Sequence, residues 1–184
     1  MKRVLGYRCT ICGREFPFEP ERYTCPHCGE KGILDIVYDY GEVKKVLTRE
    51  TLAQNRDNSM WRYRALMPVA DATDVSRFLR IGWSPLYESK KLRDELGVKA
   101  LYIKDDGINP TASLKDRASG VAVAKAIELG YDTISCSSTG NAALTPAVAV
   151  APAGSENTPS FRPNSRMAFR ISSSLTAIQR PSEA

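Results

Sequence analysis

The chain has 184 residues and 20.3 kDa, with 42% apolar and 26% charged residues and a mean hydropathy of −0.32, values that exclude wholesale disorder and a fibrous array. No uncharged apolar run approaches the roughly 18–20 residues that spanning a bilayer needs. The formal charge of +5 comes partly from a tail holding Arg162, Arg166, Arg170 and Arg180 against Glu156 and Glu183. A balance this small does not argue for nucleic acid by itself and fits small anionic metabolites equally well.

The chain opens Met1-Lys2-Arg3 with no apolar segment behind the basic residues, so no secretory signal is expected. A cytoplasmic location follows, where thiols stay reduced and cysteine pairs mean metal more often than disulfide. Four of the five cysteines lie in residues 1–38. Cys9-Thr10-Ile11-Cys12-Gly13 and Cys25-Pro26-His27-Cys28-Gly29 each place two thiolates on one side of a tight turn, and the following glycine permits a left-handed backbone. Cys9, Cys12, Cys25 and Cys28 supply four soft ligands at tetrahedral spacing, which predicts a structural zinc ribbon with no open position for water. Structural cysteines and a rubredoxin-like iron are the other readings of the same spacing. With four thiols present, His27 is expected to be a bystander.

Residues 39–85 read as a connecting segment of helices and loops, including the aromatic-basic run Trp61-Arg62-Tyr63-Arg64. From 86 to 151 the pattern becomes α/β. A helix over Lys90–Leu96 stops at Gly97, a strand covers 100–104, and a turn follows at Asp105-Asp106-Gly107. A second helix runs over Lys115–Leu129 to Gly130, then a strand over Thr133–Cys136 and a helix start at Ser138-Thr139-Gly140-Asn141. Strands alternating with helices predict βαβ units and a parallel sheet. Cys136, the odd thiol, is expected at a strand end as a small buried hydrophobe. Pro146 should bend or delay the helix opened by Asn141. Residues 152–184, rich in Ser, Pro and Arg without sustained period, are expected to be disordered.

The most informative segment is Asn109-Pro110-Thr111-Ala112-Ser113-Leu114-Lys115-Asp116-Arg117-Ala118-Ser119. Ser113 followed by Asp116 has the spacing of a capping box, so a helix should begin near Leu114. The following turns are small and apolar nearly all round, which predicts a buried helix. Lys115 then sits in its first turn, where the positive dipole end and desolvation both favour the neutral amine that attacks a carbonyl. A solvated lysine beside Asp116 is the other reading. The loop Ser138-Thr139-Gly140 follows a strand and opens a helix, and it suits either an anion or an ordinary helix cap.

Asn109 to Ser119 resembles the cofactor-lysine segment of the threonine synthase family, pyridoxal-phosphate enzymes of the tryptophan-synthase-β (fold type II) group. Trp61–Pro68, Gly82-Trp83-Ser84-Pro85-Leu86 and Ser137-Ser138-Thr139-Gly140-Asn141-Ala142-Ala143 resemble other family segments, with Ser84 in place of the usual threonine. Some members also carry an N-terminal zinc ribbon. The resemblance covers roughly residues 1–150 in family order. It implies an α/β chain: a zinc ribbon at 1–38, a connecting segment at 39–85, and an incomplete parallel-sheet domain at 86–151.

By that resemblance Lys115 forms the Schiff base with pyridoxal phosphate and later shuttles protons. Asn141 hydrogen-bonds the cofactor's phenolic oxygen, and Ser138, Thr139 and Gly140 bind the substrate carboxylate. The implied reaction converts O-phosphohomoserine and water to threonine and phosphate, in an enzyme that is compatible with a homo-oligomer. Cysteate synthase and threonine or serine dehydratases share the lysine and asparagine-loop logic. From another class, a zinc-ribbon nucleic-acid module would use Arg62, Arg64 and the basic tail around Trp61 and Tyr63, but it leaves Lys115 unexplained.

The passage from Ala147–Ala151 into Pro152–Ala184 reads as a shifted reading frame or gene-model error, and no glycine follows Gly154 to build a phosphate loop. The chain alone is therefore expected to release no phosphate above background from O-phosphohomoserine with pyridoxal phosphate present. Turnover on the order of 1 s⁻¹ or more in a phosphate-release assay would contradict this.

Overall fold

A computed structural model describes residues 3–19, 22–75, 80–131, 133–136, 140–141 and 167–170. Two compact units divide the chain, one made of residues 1–57 and 61–73, the other of 58–60 and 74–184.

The first unit is built on a four-stranded antiparallel sheet of order β2-β1-β4-β3, with β1 Val4–Cys9, β2 Glu15–Phe16, β3 Thr24–Cys25 and β4 Gly29–Tyr38. The long β4 includes the β-prone run Ile33–Tyr38 and pairs with both β1 and β3, so it is the spine on which both cysteine pairs hang. Two short helices follow, α1 Tyr40–Val46 and α2 Arg49–Gln54. Asp39 caps α1 through Glu42 N–H at 3.0 Å, and Thr48 and Thr51 cap α2 reciprocally. A 3-10 helix spans Met60–Leu66. Its Trp61 is buried, with 7% of its surface exposed. Arg62 donates to Leu52 O at 2.6 Å, and Arg64 donates to Ala70 O at 2.6 Å and to Thr73 O. An ion pair between Arg3 and Asp71 joins the two ends of the unit.

The second unit contains β5 Leu86–Glu88, α3 Lys90–Leu96, β6 Tyr102–Lys104, α4 Lys115–Glu128, β7 Thr133–Cys136 and β8 Met167–Arg170. α3 ends on Gly97 in the left-handed region at φ +63°, with Val98 N–H donating to Arg93 O at 3.2 Å, the expected glycine stop. β5 pairs antiparallel with β6, and β7 antiparallel with β8. Every ladder among the described residues is antiparallel, and no pair of the parallel sheet expected from the strand-helix rhythm falls among them. That rhythm reports each element's own preference, whereas the sense of pairing depends on which distant edge is available. Of the tail 152–184, only Met167–Arg170 lies within the described residues, as β8. Pro146 and the helix it was expected to bend lie outside them.

A polar network fastens the turn before β5 to helix α4. Asn109 Oδ1 accepts from Gly82 N–H at 2.9 Å, while its Nδ2 donates to Asp106 O at 3.0 Å and Ser113 O at 3.2 Å. Arg117 donates through Nε to Asp106 Oδ2 at 2.9 Å and through Nη2 to Oδ1 at 2.7 Å, a forked pair. Ser84 Oγ donates to Asp106 Oδ1 at 2.5 Å and accepts from Arg117 at 3.1 Å, and Lys104 Nζ donates to Ser84 O. Asn109 and Ser84 are both buried. Next to Ser84, Trp83 adopts a left-handed φ of +52° and is 50% exposed.

The Arg117 hydrogen bonds, then that of Ser84, hold the Asp106 carboxyl well below the usual carboxylate range. Its contribution to stability is therefore complete above the unfolded carboxylate value near pH 4 and is lost as pH falls through that value toward the folded one. Urea unfolding should show Asp106→Asn weaker than the parent at pH 7 by about 1–3 kcal/mol. The gap should narrow steadily below about pH 4. An equal gap at pH 7 and in acid would contradict the assignment.

Candidate functional site

Two arrangements carry chemistry, and each lies within one unit. In the first unit the sulfurs of Cys9, Cys12, Cys25 and Cys28 all lie within 4.8 Å of one another. Cys12 and Cys25, from different turns, have sulfurs 3.8 Å apart. A tetrahedral ion with metal–sulfur bonds of about 2.3 Å separates its ligands by about 3.8 Å, so the donor set fits such a metal. Local folding explains the convergence. Gly13 and Gly29 both adopt the left-handed backbone expected of them, at φ +70° and +63°. Cys9 Sγ accepts from Ile11 N–H at 3.4 Å and from Cys12 N–H at 3.5 Å, as a preformed ligand turn would. Gly32 passes so close beneath the second pair that an added Cβ would fall 2.5 Å from Cys25 Cβ and 2.8 Å from Cys28 Cβ.

Electrostatics agree with a cation at this place. The backbone N–H of Cys12, with that of Ile11, draws the Cys9 thiol down to about 7. The Cys28 thiol, hydrogen-bonded by Cys12 and crowded by the other thiols, is pushed up to about 12. Four thiols this close do not all ionise unless a positive charge sits among them. His27 is exposed and stacks on Phe16 with ring centroids 6.2 Å apart, outside the sulfur cluster.

In the second unit, α4 begins at Lys115. The helix buries Asp116, Gly120, Val123 and Ala124, a single face, and much of the rest is half-buried or exposed. Lys115 itself is exposed. This corrects the expectation of a buried helix with a desolvated lysine: small residues all round a helix permit burial but do not supply the neighbour that imposes it. The expected capping box takes another form. Ser113 Oγ accepts from Lys115 N–H at 3.1 Å. Asp116 turns back to Thr111, accepting from its N–H at 2.8 Å and from its hydroxyl. Between them Ala112 is left-handed at φ +54°, an uncommon conformation for a residue with a side chain.

Of the other expected site residues, Gly140 and Asn141 are described and exposed, and Asn141 is helical. Ser138 and Thr139 lie outside the described residues, as does the side chain of Cys136, whose backbone ends β7. The structural partners Asn109, Asp106, Ser84 and Arg117 received no role from the sequence. Their signal was the density of hydrogen-bonding residues around Lys115 in otherwise small-residue sequence.

Residues 77–158 match the family described as pyridoxal-phosphate dependent enzyme. The chain is 42% identical over 134 residues to a threonine synthase of Methanocaldococcus jannaschii, covering 73% of this chain and 32% of the relative. It is 40% identical over 147 residues to a threonine synthase of Methanosarcina acetivorans, covering 80% and 34%. A threonine synthase of Halalkalibacterium halodurans is 45% identical over 101 residues, covering 52% and 28%. No solved structure matches the chain. The chain spans about a third of the length of the first two relatives. Over most of its residues it resembles threonine synthases, and residues 77–158 carry a segment of the pyridoxal-phosphate dependent enzyme family.

Proposed function

We propose that this chain is a portion of a threonine synthase-like enzyme that uses pyridoxal phosphate and acts on O-phosphohomoserine, with a structural zinc in its ribbon. The observation that carries this reading is the 42% and 40% identity, over 73% and 80% of the chain, with two threonine synthases. Pyridoxal phosphate, when bound, supplies an electron sink that makes loss of phosphate and addition of water accessible. The chain's own residues would bind and orient. Lys115 holds the cofactor covalently and moves protons at its Nζ, and its exposure leaves that amine open to a carbonyl. Asn141 donates toward the phenolic oxygen. Ser138, Thr139 and Gly140 grip the substrate carboxylate with hydroxyl and backbone donors.

Internal bonding of part of the aromatic-basic run supports the enzyme reading over the nucleic-acid one, although Tyr63 is exposed. Arg62 and Arg64 donate to carbonyls of their own unit, and Trp61 is buried. The ribbon then serves folding, with Cys9, Cys12, Cys25 and Cys28 closing all four positions around the zinc.

Adding pyridoxal phosphate to the purified chain should produce a visible Schiff-base absorbance, absent in Lys115→Ala. O-phosphohomoserine should perturb that band. A response confined to O-phosphoserine or threonine would move the assignment to cysteate synthase or a dehydratase. Elemental analysis should find one zinc per chain, and a chelator should unfold the ribbon, read as loss of its far-ultraviolet signal. Iron, or full structure without metal, would refute the zinc assignment.

A further inference from the structure

Lys115 and Asp116 are consecutive on α4, yet one is exposed and the other has none of its surface exposed. Neighbouring helical residues point about 100° apart, so whatever fixes Asp116 also fixes the direction in which Lys115 leaves the helix. Thr111 fixes it. Its N–H and hydroxyl both reach the Asp116 carboxylate, closing a small ring over the left-handed Ala112. A buried carboxylate in a first turn is favoured by the helix dipole, so the hook is placed where a negative charge costs least. Ser113 adds a second tie at the lysine itself, through Lys115 N–H. Left-handed backbone at an alanine persists only where the surroundings over-determine it, and these bonds are what over-determine it here.

We infer that Thr111 and Asp116 form a positioning device for Lys115: the hook holds the strained turn that aims the amine at an incoming aldehyde. The inference rests on Lys115 being the cofactor lysine. The Thr111 hydroxyl is the specific element, because serine keeps it and valine replaces it with a methyl of similar shape. The hook moves no proton and touches no substrate. It sets the approach geometry, to which reaction at a carbonyl is steeply sensitive.

The test is the rate at which pyridoxal phosphate becomes fixed on Lys115 by borohydride reduction, located by peptide mass, in the parent chain and in Thr111→Val, Thr111→Ser and Asp116→Asn. Far-ultraviolet circular dichroism of each variant is recorded at the same temperature. With helix content retained, Thr111→Val should slow adduct formation by roughly tenfold, and Thr111→Ser should stay within about twofold of the parent. Asp116→Asn should fall between them, because an amide accepts from Thr111 at one atom only. A parent chain that forms no adduct on Lys115 overturns the cofactor-lysine reading and this inference with it. A parent adduct with an unchanged rate in Thr111→Val overturns this inference alone. Loss of the adduct together with helix signal in both Thr111→Val and Asp116→Asn assigns the hook to folding and likewise overturns it.

Discussion

A primary amide accepts at one atom and donates at its neighbour, and buried Asn109 uses both ends, joining the turn at Gly82 to the backbone on either side of itself. Its oxygen takes the N–H of Gly82, and its nitrogen reaches the carbonyls of Asp106 and Ser113. No carboxylate or aliphatic side chain substitutes: aspartate would set an acceptor against two carbonyls, and leucine would take from the buried Gly82 N–H the acceptor it has in Asn109. The forked Arg117–Asp106 pair builds on this frame by tying helix α4 to the same turn. The turn that presents Lys115 is thus held from three sides before any ligand is considered.

The ribbon is organised on a different principle. Cys9 and Cys25 are among the most buried side chains of the described residues, so part of what serves as core there is sulfur. A unit of this kind gathers its strands around ligand chemistry where apolar area is scarce. Close passage of Gly32 beneath the second cysteine pair couples the long β4 to that chemistry, so the sheet register and the sulfur geometry stand together. The exposed Tyr23 and Ile33 on the same hairpin cost little under this arrangement, because the sulfur cluster supplies the constraint.

What the sequence revealed divides along the range of the interaction. Features set within a few residues were legible: the left-handed glycines at 13, 29 and 97, the helix over Lys90–Leu96 and the strand Thr133–Cys136. The convergence of the four cysteines was also legible, because two short turns dictate most of it. The sense of strand pairing and the exposure of Lys115 depend on partners far along the chain, and local pattern carries no record of them. Asp116 shows the boundary between the two regimes. Its place in the first turn of a helix could be read from spacing, but its choice of Thr111 over Ser113 depended on the left-handed step at Ala112.

The two tryptophans fall one to each unit, and in opposite surroundings. Trp61 is buried in the first unit, and Trp83 is half in water in the second, beside Ser84 and the Asn109 frame. An indole shielded from water emits at shorter wavelength than one that water can relax, so the two residues should differ in emission colour. The blue component would follow the first unit and the red one the lysine-bearing unit. Melting of either half, and docking of any aromatic ligand near Trp83 by its quenching, can be watched separately in one cuvette without attaching a label.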